Sequence, residues 1–114
     1  MFKRKQQPDA DGFYATQIAA VDVSENGMTN VKIEGQPLIL TKWQDTIYAI
    51  SAYCPHAAAD LNNGEIYKGR VDCPEHGWRF DLKTGRTLFP PDEACRLKRY
   101  EVKEEEGMVL VRVL

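Results

Sequence analysis

Cys54-Pro55-His56 and Cys73-Pro74-Glu75-His76 decide how this 114-residue chain is read. Residues 57–72 separate the two pairs, which take up both histidines of the chain and two of its three cysteines. Imidazole nitrogen and thiolate sulfur are donors for borderline-soft metals. A small chain that spends nearly its whole supply at four such positions is expected to build one metal centre. Each pair is too short to grip a metal from opposite sides. Each is therefore expected at a loop tip, with two loops brought side by side to close the site. Buried cysteines and ordinary surface histidines would leave unexplained why both tight pairs carry proline directly after cysteine.

Two metal chemistries compete for this pattern. A structural Cys2His2 zinc site usually pairs like ligands, as C-x2–4-C followed by H-x3–5-H. Here each loop offers one thiolate and one imidazole, an unusual arrangement for zinc. In a Rieske [2Fe–2S] centre, two cysteines hold one iron and two histidines hold the other. Each loop would then supply one ligand to each iron, and neither iron would be complete without both loops.

The surroundings of the four residues resemble the Rieske ferredoxin family. Val71-Asp-Cys-Pro-Glu-His-Gly-Trp-Arg-Phe-Asp81 is similar to that family's second cluster loop and following strand. Ile47-Tyr-Ala-Ile-Ser-Ala-Tyr-Cys54-Pro-His56 is similar to the strand feeding the first loop, and Thr84-Gly85-Arg86 with Pro90-Pro91 to its hairpin turn and proline-bearing third loop. The resemblance implies Cys54, His56, Cys73 and His76 as ligands of one [2Fe–2S] cluster per chain. It also implies an all-β fold: an antiparallel, β-sandwich-like scaffold with a small inserted cluster-binding β subdomain. The high-potential Rieske proteins of cytochrome bc complexes resemble C-T-H-x-G-C and C-P-C-H-G-S, with the extra cysteines disulfide-bonded. Ala59 and Glu75 occupy those cysteine positions here, and Trp78 stands in place of a serine whose hydroxyl donates to a cluster sulfur. Hydrogen bonds to the sulfurs help set the potential, so loss of that donor places it toward the low end of the Rieske range.

The length suits one domain, and no second catalytic domain of the kind that follows the Rieske part in oxygenases is expected. The expected division is a flexible arm over 1–12 and a single Rieske domain over 13–114, with the cluster-binding subdomain at about 53–91. With 15 basic and 17 acidic residues the formal charge is −2, which does not indicate a nucleic-acid surface. Lys3-Arg4-Lys5 is followed by polar residues rather than an apolar core, so it reads as neither signal peptide nor anchor. No apolar run reaches the roughly 18 residues of a membrane span. The protein is expected to be soluble and cytoplasmic. Cys95 is then expected to be a reduced, core-packed thiol, although Glu93, Arg96 and Lys98 beside it allow partial exposure.

Alternation and turn residues dominate the rest of the chain. Thr29–Glu34 and Pro37–Trp43 are expected to form a hairpin about Gly35-Gln36, with Leu38, Leu40 and Lys42 on one face. Gln44-Asp45 turns the chain into 46–53, and Asp81–Gly85 suits a turn with glycine at the left-handed position. Leu61-Asn62 carries a weak helical signal. Lys98–Lys103 and Met108–Val113 form a final hairpin, with Glu104-Glu105-Glu106-Gly107 as its solvated turn. Trp43, Tyr53, Trp78 and Phe80 are expected in the core or lining the cluster. Pro55 and Pro74 stiffen the ligand loops, and Gly77 lets the backbone approach the cluster.

The sequence gives no nucleotide fingerprint, no spare histidine and no Ser/His/Asp set. The expected function is a one-electron carrier rather than an enzyme, reduced by a flavin-dependent NAD(P)H reductase and oxidised by an oxygenase. Docking is expected near His56 and His76, with Asp60, Glu65, Glu75, Asp92 and Glu93 as an acidic rim. A small Rieske subunit of another redox enzyme, similar to nitrite reductase small subunits, is the first alternative. A zinc-stabilised interaction module is the second.

Overall fold

The computed structural model describes residues 7–113. Ten strands are found among them: β1 Tyr14–Ala19, β2 Thr29–Ile33, β3 Gln36–Trp43, β4 Thr46–Ser51, β5 Glu65–Tyr67, β6 Arg70–Asp72, β7 Arg79–Asp81, β8 Thr87–Phe89, β9 Arg99–Glu105 and β10 Met108–Val113. Short 3-10 turns cover Ala20–Asp22 and Leu61–Asn63. The large sheet runs β1-β10-β9-β4-β3-β2, and the small sheet β5-β6-β7-β8 is inserted between β4 and β9. All neighbouring strands pair antiparallel. The architecture is the all-β scaffold with an inserted β subdomain that the sequence implied. No helix among the described residues is long and apolar enough to cross a membrane.

Hairpin chemistry sets the registers. Glu34-Gly35, Gln44-Asp45, Lys68-Gly69 and Glu106-Gly107 each place two residues at positive φ, the twist-matched two-residue hairpin geometry. The pairs Ile33↔Gln36, Trp43↔Thr46, Tyr67↔Arg70 and Glu105↔Met108 close directly over them. The first turn thus falls one residue earlier than Gly35-Gln36, with Gln36 already in the ladder. The last is shorter than the acidic run, because Glu104 and Glu105 belong to β9. Gln44-Asp45 has no glycine, and the Glu25 carboxylate accepts from the Gln44 N–H at 2.8 Å to hold it.

Strand β3 departs from simple alternation because the large sheet is buried on both faces. Leu38 and Leu40 pack with Ala49, Tyr100, Val109 and Val111 on one side. Ile39 points the other way, into a second core with Ile50, Leu61, Val71, Phe80, Leu82 and Leu97, and this core contains Cys54 and Cys73. The second core glues the small sheet to the large one, so the two cysteines are held between the sheets. Trp43 reinforces the junction by packing against the Lys68-Gly69 turn, where a Cβ on Gly69 would lie 2.8 Å from its ring.

Residues 9–12, read from sequence as part of a loose arm, are tied to β9 and β10. The Asp9 carboxylate accepts from the backbone N–H of Asp11 and Phe13 and pairs with Lys103 at 2.8 Å. Lys103 and Arg112 both lie over the Phe13 ring, at 4.4 and 4.6 Å. The part of the arm before residue 7 lies outside the described residues. Hydrogen bonding to Lys103, then to the Phe13 N–H, lowers the Asp9 carboxyl to about 2. A depressed folded-state pKa stabilises above the unfolded value near 3.9 and is lost as pH falls through the folded one. Asp9→Asn should therefore lower thermal stability at pH 7, and the gap to wild type should close by about pH 2. Melting curves across that range check this.

Candidate metal centre

The first ligand loop leaves β4 and is closed by its own cysteine. The Cys54 N–H donates to Ala59 O at 2.8 Å, and the Ala58 N–H returns to Cys54 O at 2.8 Å. Ala58 sits at φ 51 to make this fold-back. Asp60 caps the 3-10 turn that follows, accepting from the Asn62 N–H and its amide, both at 2.9 Å. Asn62 also exchanges two amide hydrogen bonds with Asn30, at 3.0 and 2.8 Å, which moors the loop to β2.

The second loop repeats the device. The Cys73 N–H donates to Trp78 O at 2.7 Å, so both loops close from the cysteine to the residue five positions on. His76 and Gly77 at its tip take φ 60 and 68. For Gly77 the need for glycine is conformational, since a Cβ would meet no protein atom within 4 Å. Strand β6, which delivers Cys73, is braced on its outer face. Asp72 lies 3.3 Å from the Arg70 Nε and 3.6 Å from the Arg79 Nε, and the Arg70 guanidinium covers the Tyr67 ring at 4.4 Å.

The two loops meet as the spacing demanded. One donor atom each from Cys54, His56 and Cys73 lies within 4.8 Å of the others, and no other such group of three occurs among the described residues. His76 stands outside this triangle, with its ring 5.9 Å from that of His56 in an edge-to-face arrangement. Exposure is graded: both sulfurs are buried, His56 is half-buried and His76 is exposed. Burial pushes the Cys73 thiol up to about 11, and the neighbouring Cys54 adds to the rise, while the Glu75 N–H, 3.4 Å from its sulfur, acts against it. A bound cation would supply the charge that lets two such buried sulfurs act as thiolates. Inner sulfur and outer imidazole is also the asymmetry of a Rieske ligand set. The donor set therefore fits the group.

Other expected residues divide. Phe80 is fully buried, and Trp43 and Trp78 are half-buried against the inter-sheet core. Tyr53 is not a core residue: it is half exposed, while its neighbour Cys54 takes the inward position. Cys95 is half-buried and free, and burial raises its thiol. Asp60, Glu65, Glu75, Asp92 and Glu93 are all exposed. Sequence reasoning missed the Asn30–Asn62 pair, which joins residues 32 apart and leaves no local signal. It also missed that the Trp78 indole stacks flat on His56, with centroids 4.0 Å apart and planes 8° from parallel.

Comparison with known proteins agrees with this geometry. Residues 14–104 match the Rieske [2Fe-2S] domain. The ferredoxin component of the naphthalene 1,2-dioxygenase system of Pseudomonas aeruginosa is 34% identical over 94 residues, 82% of this chain and 89% of that protein. Among solved structures, the ferredoxin of carbazole 1,9a-dioxygenase from Nocardioides aromaticivorans superposes with a TM-score of 0.79 at 25% identity, covering 90% of this chain and 99% of that one. A chain from a complex of reduced oxygenase and oxidized ferredoxin in carbazole 1,9a-dioxygenase gives 0.74 at 32% identity, covering 82% and 87%. The chain belongs to the Rieske [2Fe-2S] domain family. Within that family it is similar, over nearly their whole length, to ferredoxin components of dioxygenase systems.

Proposed function

We propose that this protein is a one-electron carrier that receives electrons from a flavin-dependent NAD(P)H reductase and passes them to an oxygenase. Cys54 and Cys73 would hold the inner iron of the [2Fe–2S] cluster, and His56 and His76 the outer one. When bound, the cluster supplies a single reversible electron site at a potential above that of all-cysteine ferredoxins. The chain's own residues do the rest. The inter-sheet core buries both sulfurs, the left-handed tip at His76-Gly77 brings an imidazole to the surface, and Pro55 and Pro74 stiffen the approach. The observation that carries the reading is this gradient from buried sulfur to exposed imidazole, which would bring one edge of the centre within reach of a partner.

The exposed Asp60, Glu65, Glu75, Asp92 and Glu93 would steer a basic partner face toward that edge. Transient redox interfaces are small, below about 1,200 Å2, and rim charges act mainly on the association rate. Stopped-flow oxidation of the reduced protein by a Rieske oxygenase should slow as ionic strength rises. The double substitution Glu75→Lys and Asp92→Lys should slow it several-fold at low salt and flatten the salt dependence. The mixture of reductase, this protein and oxygenase should consume NAD(P)H with product formation, and leaving this protein out should stop it. Product formation by this chain without partners would contradict the carrier reading.

A further inference from the structure

The His56–Trp78 stack has a chemical consequence, resting on the reading above that His56 is a ligand. We propose that Trp78 is a positioning and potential-setting residue: its indole fixes the plane of the His56 imidazole, and its π face opposes the added electron. The geometry gives Trp78 hold of both loops at once. Its carbonyl accepts from the Cys73 N–H at 2.7 Å, and its ring lies flat on His56 at 4.0 Å. The indole also tilts against Phe80, with centroids 6.3 Å apart, and Phe80 is wholly buried. The stack is thus anchored in the inter-sheet core rather than resting on the surface.

Two effects of the indole act in the same direction. An aromatic face carries the negative lobe of its quadrupole, so it favours the more positive of two states of a ring beneath it. The imidazole is more positive when the metal it binds is oxidised. The indole also covers one face of that imidazole, and excluding water raises the cost of added charge. Both effects weaken electron affinity. A purely structural wedge would change stability and cluster retention but not the potential of the molecules that keep their cluster.

The test is voltammetry of Trp78→Leu, Trp78→Phe and wild type grown with 5-fluorotryptophan, which thins the π face without altering its shape. Trp78→Leu should favour reduction by at least about threefold, or ~28 mV upward for a one-electron couple. Trp78→Phe should keep at least half of the wild-type effect. The fluorinated protein should also shift upward, whereas fluorination in the Trp78→Phe background, which labels only Trp43, should not. Unchanged potentials in both Trp78→Leu and the fluorinated protein would overturn the proposal. If Trp78→Leu loses its cluster, the fluorinated protein decides alone. Absence of any reversible couple in unlabelled wild type would instead overturn the carrier reading.

Discussion

Alanine at Cys54, His56, Cys73 or His76 should abolish assembly of the [2Fe–2S] cluster, measured as iron and acid-labile sulfide per chain. Serine at Cys95 should leave both near about two per chain. The expected difference is all-or-none because each loop would supply one donor to each iron, so losing any of the four leaves one iron with a single protein ligand. The structure sharpens the contrast between the cysteines. Cys54 and Cys73 are buried and share a triangle with the half-buried His56, whereas Cys95 lies outside it, half-buried on the segment after the Pro90-Pro91 loop. Loss of iron in Cys95→Ser with retention in Cys54→Ser would refute the ligand assignment.

Gly64→Ala should be the most damaging substitution away from the ligands. A Cβ there would sit 1.9 Å from the carbonyl oxygen of Asp72 and 3.3 Å from Pro74 Cδ. The first of these is backbone in the β5–β6 ladder, immediately before Cys73, and cannot rotate aside. Overpacking of this kind costs about 3 kcal/mol or more, equivalent in a chain this size to a Tm lower by roughly 10–20 °C. The same movement would displace the second ligand loop, so cluster content should fall with stability. Gly35→Ala is the control. Gly35 has open space around it and only the left-handed φ of 78 to satisfy, which makes the expected cost about 1 kcal/mol. Calorimetry on the two variants checks the ranking, and equal losses would show that the contact at Gly64 relaxes easily.

What the sequence revealed and what it hid follow a physical line. Glycine and alternation mark hairpins, so the β2–β3, β3–β4 and β9–β10 pairs were legible to within a residue or two. Gln44-Asp45 could be read although it lacks glycine, because aspartate tolerates the left-handed region. Burial of β3 on both faces was not legible, since Ile39 looks outward until a second sheet is known to cover it. The four candidate ligands were legible because Cys-Pro-His and Cys-Pro-Glu-His are both local patterns. The supports that hold them were not: Asn30 on Asn62, Trp78 on His56 and Arg70 with Arg79 around Asp72 are meetings that only the folded topology creates. The ordering of Asp9–Gly12 was hidden for the same reason, since its partners Lys103 and Arg112 lie at the other end of the chain.

The central claim is that the two Cys/His loops hold a Rieske [2Fe–2S] cluster that takes up one electron. An EPR spectrum of the purified protein after dithionite reduction, recorded with its iron and sulfide content, tests it most directly. The expected result is a coloured protein, EPR-silent as isolated, that on reduction gives one rhombic Rieske-type signal integrating to about one spin per chain. A colourless, EPR-silent protein that carries one zinc would contradict it.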